Sequence, residues 1–226
     1  MENKIFIVAI DGPVGSGKGT LAGSLAKKLN ALYVYTGGMY RALALKCLRQ
    51  NVDLENEEEV LKVLNDTEIK LGSTEYTTRV FLDGEDVSSE IFSPNVGQLV
   101  PIVAKHKEVR KEMVDRQKKL INEGTVIIEG RDIATDVSPD ADMKIYLTAD
   151  LETRAKRRQA QYQKRGVNIS LVQAMNEVEE RDIIDMQREA SPLIVSEDAI
   201  VIDTTNDTIE QTVDKVMEKL KEKGLV

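Results

Sequence analysis

The run Ile5-Phe6-Ile7-Val8-Ala9-Ile10 leads directly into Asp11-Gly12-Pro13-Val14-Gly15-Ser16-Gly17-Lys18-Gly19-Thr20, and an apolar-patterned helix follows over about Lys18–Leu29. A strand, a G-x-x-x-x-G-K loop and a helix in that order form a phosphate cradle, and nothing else in the chain constrains the fold as much. The glycines let consecutive N–H groups turn inward as a nest, while the helix directs its positive end at the same anion. Gly12, Pro13, Val14, Gly15, Ser16, Gly17, Lys18, Gly19 and Thr20 are therefore all candidate phosphate contacts. Lys18 adds a point charge over the β and γ phosphates of a nucleoside triphosphate. Gly19 stands where the strict pattern has Ser or Thr, so Thr20 becomes the candidate hydroxyl near Mg²⁺. The alternative is a glycine turn that merely joins strand to helix; the flanking strand and the lysine argue against it.

Further short apolar runs at Ala31–Val34, Val126–Ile128, Lys144–Leu147 and Ala199–Ile202 suit strands covered on both faces. They alternate with helical patterns at about Met39–Arg49, Glu57–Leu64, Lys107–Ile121, Leu151–Lys164, Leu171–Glu189 and Ile209–Lys223. That alternation predicts an α/β fold, a doubly wound parallel sheet with a P-loop. Between Glu68 and Phe92 the pattern changes to short strands, Glu68–Leu71, Arg79–Leu82 and Glu85–Val87, broken at Gly72-Ser73 and Asp83-Gly84. This predicts a small antiparallel insert.

The charge balance narrows the function. Over 226 residues, 31 Lys and Arg face 39 Asp and Glu, a net charge of -8, which argues against a coat for the nucleic-acid backbone. With one cysteine and no tryptophan, neither a disulfide scaffold nor a base-stacking platform fits. No apolar run approaches the roughly 20 residues that span a bilayer, so a soluble, cytoplasmic protein without membrane partners is expected.

The chain also places arginines at converging spacings. Arg154, Arg157 and Arg158 fall at i, i+3 and i+4, which puts three cations on one helical face. A solvated basic face is one reading and a closing lid over phosphates another, with Gly166 at the hinge. Ser170 to Gln173 forms a capping box for the next helix, whose Arg181, Asp185 and Arg188 make a stripe or an ordinary salt-bridge ladder. Glu129-Gly130-Arg131-Asp132 follows a buried-looking strand, at the carboxyl end where α/β sheets bind ligands. Glu129 is then a candidate to hold Mg²⁺ through water, or a turn carboxylate. Neither N-K-x-D nor D-x-x-G occurs, which sets aside a signalling GTPase.

Gly12–Thr20 as GPVGSGKGT, Thr36–Arg41 as TGGMYR, Asp83–Val87 as DGEDV, Glu129–Asp132 as EGRD and Arg181–Leu193 as RDIIDMQREASPL together resemble the bacterial cytidylate kinases. The resemblance implies transfer of the γ-phosphoryl group of ATP to CMP or dCMP with Mg²⁺, by a monomer. It implies a three-part layout: a P-loop core (1–38, 102–150 and 166–226), a monophosphate-binding insert (39–101) and a short helical lid (151–165). Lys18 and the loop amides would hold ATP, with Thr36, Arg41 and Arg131 around the acceptor and its phosphate. Arg110 and Asp132 would read the pyrimidine, Arg181 and Asp185 the sugar, and Arg188 would lie between them. Arg154, Arg157 and Arg158 match the lid, and with Lys18 and Arg131 they form the catalytic set.

Tyr35, Gly38, Pro101, Glu129 and Ala134 depart from the family pattern. Two rivals therefore stand beside this reading: a P-loop kinase of another small acceptor, and a nucleotide-binding module without turnover. His106, the only histidine, is expected to face solvent at a helix start, and Cys47 to be a small core residue.

Overall fold

The computed structural model describes residues 5–74, 77–121 and 124–226. Five parallel strands form the central sheet: β1 (Ile7–Asp11), β2 (Leu32–Tyr35), β6 (Val126–Glu129), β7 (Met143–Thr148) and β8 (Ile200–Asp203), in the order β2-β6-β1-β7-β8. β1 lies central because Val8, Ala9 and Ile10 are fully buried and carry no polar side chain to solvate. It registers Ile7 against Val126 on one side and Val8 against Met143 on the other. The chain leaves β1 toward one edge and later returns to the other, and the ligand crevice of such sheets opens at this reversal.

α1 (Lys18–Leu29) and α8 (Ile209–Glu222) cover one face, where Leu21, Leu25, Ile127, Ile145 and Val216 pack. The other face packs Ala9, Val34, Ile128 and Ile133 against α5 (Lys107–Leu120) through Val114. A separate core joins α2 (Thr36–Gln50), α3 (Glu57–Asn65), α4 (Pro94–Lys105) and α5 to the antiparallel sheet β3 (Ile69–Thr74), β4 (Thr77–Leu82) and β5 (Glu85–Asp86). Met39, Leu43, Leu64, Leu82, Ile91 and Met113 lie within it, and Cys47 is there as expected.

Three local expectations are corrected. β3 runs on through Gly72 and Ser73 and pairs Thr74 with Thr77, so the break is not there; residues 75 and 76 lie outside those described. His106 does not face solvent: it is buried at the α4–α5 corner, with Nε2 2.7 Å from the Leu54 carbonyl oxygen. α4 was not expected at all, because Pro94 and Pro101 disguise it. Pro94 sits in the first turn, where its missing N–H costs nothing, and the Ser93 hydroxyl accepts from the Val96 N–H. Pro101 does remove an interior bond, which burial of Val96, Val100 and Val103 offsets.

Candidate active site

The phosphate loop joins β1 to α1. Gly12 is at φ +147°, and a Cβ there would lie 2.0 Å from the Leu147 carbonyl oxygen, so only glycine lets the loop pass beneath β7. The Lys18 ammonium is folded back, donating to the Pro13 carbonyl oxygen at 2.7 Å. Burial, and then the nearby Arg131 charge, push its pKa down to about 7. Asp11 at the end of β1 accepts the N–H groups of Ile133 (2.9 Å) and Ala134 (2.8 Å), which fixes a π-helical turn over 133–137. Its own burial outweighs those bonds and pushes its pKa up to about 6.

α6 (Leu151–Gln163) carries Arg154, Arg157 and Arg158, but their guanidinium groups do not converge. Arg154 pairs with Asp182 of α7 (Leu171–Gln187) and donates to the Val14 carbonyl oxygen at 3.2 Å. Asp182 in turn accepts the Val14 N–H at 3.3 Å. Arg157 donates to the Thr204 hydroxyl (2.9 Å) and carbonyl (2.7 Å) oxygens, and reaches the carbonyl oxygens of Gly15 and Ser16, both at 3.4 Å. These two arginines grip the phosphate loop from outside. Arg158 alone faces the cavity, over the Tyr162 ring and 3.7 Å from Glu177.

A cavity of about 770 Å³ runs from the loop to the insert. Lys18, Thr20, Thr36, Arg41, Arg110, Glu129, Arg131, Asp132, Arg158, Arg181 and Arg188 line it, with Gly15, Gly17 and Gly19 at the loop end. Asp185 is buried beneath, accepting from Arg131 (2.8 Å), Arg181 (3.0 Å) and Arg188 (3.4 Å). Burial raises its pKa, but the Arg181, Arg131 and Arg188 charges prevail and hold it below the usual carboxylate range. Arg188 is the C-cap of α7, not an interior residue, and still reaches Asp185.

Deeper in, Arg110 and Asp132 form a buried ion pair, and Arg188 Nη2 lies 3.9 Å from Asp132. Three buried polar atoms of this corner, Tyr40 Oη, Arg110 Nε and Arg188 Nη2, have no hydrogen-bond partner among the described residues. Buried polar groups are ordinarily paired, so such a corner fits a polar ligand. Nearer the loop, the Thr36 hydroxyl donates to the Glu129 carbonyl oxygen (2.8 Å), and Glu129 Oε1 accepts from Tyr33 (3.1 Å). Arg41 donates to the Tyr35 hydroxyl and the Ile91 carbonyl, each at 3.1 Å. Asp11, Tyr33, Asp182 and Thr204 were missed by sequence reasoning. Their side-chain hydrogen-bond partners lie from 28 positions away, for Asp182 and Arg154, to 188, for Thr204 and Ser16, so no local pattern could announce them.

A phosphate loop at the reversal of a parallel sheet, facing a cavity ringed by arginines with a separate antiparallel insert, defines the class of P-loop kinases of small acceptors. The sequence pattern of the cytidylate kinases matches residues 8–222. Over 211 residues the chain is 46% identical to cytidylate kinases of Bacillus thuringiensis and Bacillus cereus, covering 93% of each chain. The chain belongs to the cytidylate kinase family. A solved structure of an uncharacterized protein from Eubacterium ventriosum shares the fold, with TM-score 0.52 and 15% identity over 96% of this chain and 98% of that one. Among the described residues, no helix is long and apolar enough to cross a membrane.

Proposed function

We propose that the protein transfers the γ-phosphoryl group of ATP to CMP or dCMP, as a cytoplasmic monomer acting on free nucleotides. Neither rival reading is favoured by the family membership. The observation that carries the acceptor assignment is the corner of Tyr40, Arg110, Asp132 and Arg188, buried, unsatisfied at three atoms among the described residues and facing the phosphate loop across one cavity. Asp132 offers an acceptor to a 4-amino group and Arg110 offers donors to a ring nitrogen or carbonyl. A carboxylate there disfavours uracil, which presents a carbonyl at the same place.

In this reading Lys18 leaves Pro13 for the ATP phosphates, and Arg41 and Arg131 hold the acceptor phosphate in line with them. Arg158 arrives with the lid, which we take as 151–165 moving against the core and the insert of 39–101. A loose transition state needs alignment and charge neutralisation, not a nucleophile from the protein.

The residues fit a nucleotide-borne Mg²⁺. Among the described residues no group of three or more His, Cys, Asp or Glu gathers to cage an ion, while the Thr20 hydroxyl and the Glu129 carboxylate are hard oxygen donors beside the loop. Thr20 would hold the ion with Glu129 behind a water, and it would supply neutralisation of the β and γ phosphates.

ADP production with ATP and Mg²⁺ is the test, offering CMP, dCMP, UMP, AMP, GMP and no acceptor in parallel. Turnover confined to CMP and dCMP is expected. Preference for another monophosphate would overturn the acceptor assignment, and tight binding without turnover would overturn catalysis.

A further inference from the structure

Three guanidinium groups gather where the lid meets the insert, and one of them belongs to a residue not yet given a role. Arg41 Nη1 and Arg158 Nη2 lie 3.9 and 3.8 Å from the point where a side chain on Gly97 would begin. Arg165, just past the end of α6, covers the Phe92 ring at 4.5 Å from its centroid, and Arg41 covers the same ring at 5.1 Å. All three arginines line the cavity.

The acids do not match these cations. Among the described residues Glu177, 3.7 Å from Arg158, is the only carboxylate paired with the group, and it also accepts from Tyr162. Glu180 lines the cavity and is in no ion pair among the described residues. Among the described residues Arg41 donates only to neutral oxygens. The Arg165 side chain has its contact with Phe92 and neither hydrogen bond nor ion pair among the described residues. Burial, and then Arg41 and Arg158, push its pKa down, which marks like charges held close without a counter-ion.

Position separates this group from the other lid arginines. Arg154 and Arg157 turn to the phosphate loop, on the donor side. Arg165 turns to Phe92 and Arg41, on the insert. It is exposed enough to swing, and Gly166 follows at φ +75° with nothing near its Cβ position.

We propose that Arg165 is a further acceptor-binding residue: with Arg41 and Arg158 it closes on the dianionic phosphate of the monophosphate, and Phe92 holds it in reach beforehand. This rests on the acceptor side assigned under the proposed function. The lid is then drawn shut by the acceptor at its far end while its near end stays tied to the donor loop. A guanidinium can take a phosphate by two parallel bonds and keep its stacking on an aromatic ring, which an ammonium cannot do equally well.

The test compares Arg165→Gln and Arg165→Lys with the parent in two ways. The first is the rise in melting temperature given by inorganic phosphate, with ADP present to fill the loop. The second is the KM for CMP and for ATP. For Arg165→Gln, the melting temperature of the free protein should hold or rise, because a repulsion is removed, and the gain from phosphate should shrink. The KM for CMP should rise about 10-fold with that for ATP within about 2-fold, and Arg165→Lys should recover part of the loss. A lower melting temperature with unchanged KM for CMP would make Arg165 a structural latch and overturn the proposal. A change confined to ATP, or no change in any reading, would overturn it too. Failure of the unmodified protein to use CMP would instead strike the proposed function, and the phosphate measurement would still judge Arg165.

Discussion

Replacing Asp185 by Asn isolates the charge that holds Arg131, Arg181 and Arg188 together. The carboxylate is 1% exposed and accepts from Arg131, Arg181 and Arg188, whose side chains are 20%, 18% and 3% exposed. Adding three charge-assisted bonds at about 1.5–3 kcal/mol each would overstate the loss, because Arg131 and Arg181 can turn toward water. Arg188 cannot, and the new amide would point an N–H pair at one of the guanidinium groups. The expected loss is that of breaking one buried ion pair, about 3–5 kcal/mol. In urea this moves the midpoint down by about 1–2.5 M for a slope of about 2–3 kcal/mol/M. The pH dependence follows from the sign of the shift. The folded-state pKa is lowered from 3.8, so the stabilisation is present above about pH 4 and is lost as pH falls below it. Urea melts of parent and variant by circular dichroism should therefore differ most at neutral pH and approach each other in acid. A gap under about 1 kcal/mol at pH 7, or one that persists unchanged to the lowest pH at which the parent folds, would refute the picture of Asp185 as a buried charge holding three cations.

Asp11 carries the opposite sign: its pKa is raised from 3.8 to about 6, so stability is fully present below about pH 4 and lost as pH rises through 6. Between pH 4 and 7 the parent should lose about 2 kcal/mol relative to Asp11→Asn, and a stability difference flat with pH would contradict that. Arg157→Ala removes the clamp on the Gly15 and Ser16 carbonyls, so kcat should fall about 10-fold while the KM for CMP stays within about 2-fold; a change mainly in the KM for CMP would move Arg157 to the acceptor side.

What was legible in the chain was what repeats locally. β1 was readable because a strand buried on both faces must be apolar throughout, and the loop after it because its glycines have no cheaper substitute. The Ser170–Gln173 capping box opens α7 as expected, since both its bonds close within three residues. α4 was hidden because proline at 94 and 101 argues against a helix unless the burial of its other residues is known. The burial of His106 depends on the Leu54 carbonyl, 52 positions away, and was equally out of reach. The helix that carries Arg154, Arg157 and Arg158 formed where the spacing put it, yet the three guanidinium groups do not share one face, because Asp182 and Thr204 draw two of them apart.

The Lys18 ammonium has an acceptor of its own at 2.7 Å, and this tethers the cation to the loop. The Pro13 carbonyl takes one of the three N–H donors of the ammonium, and Ser16 Oγ lies 3.4 Å away, near a second. An anion reaching the loop can therefore share the cation with Pro13 instead of competing for it. The carbonyl works as a tether that fixes where the charge stands beforehand, so a long, many-jointed side chain has less freedom left to lose when an anion arrives.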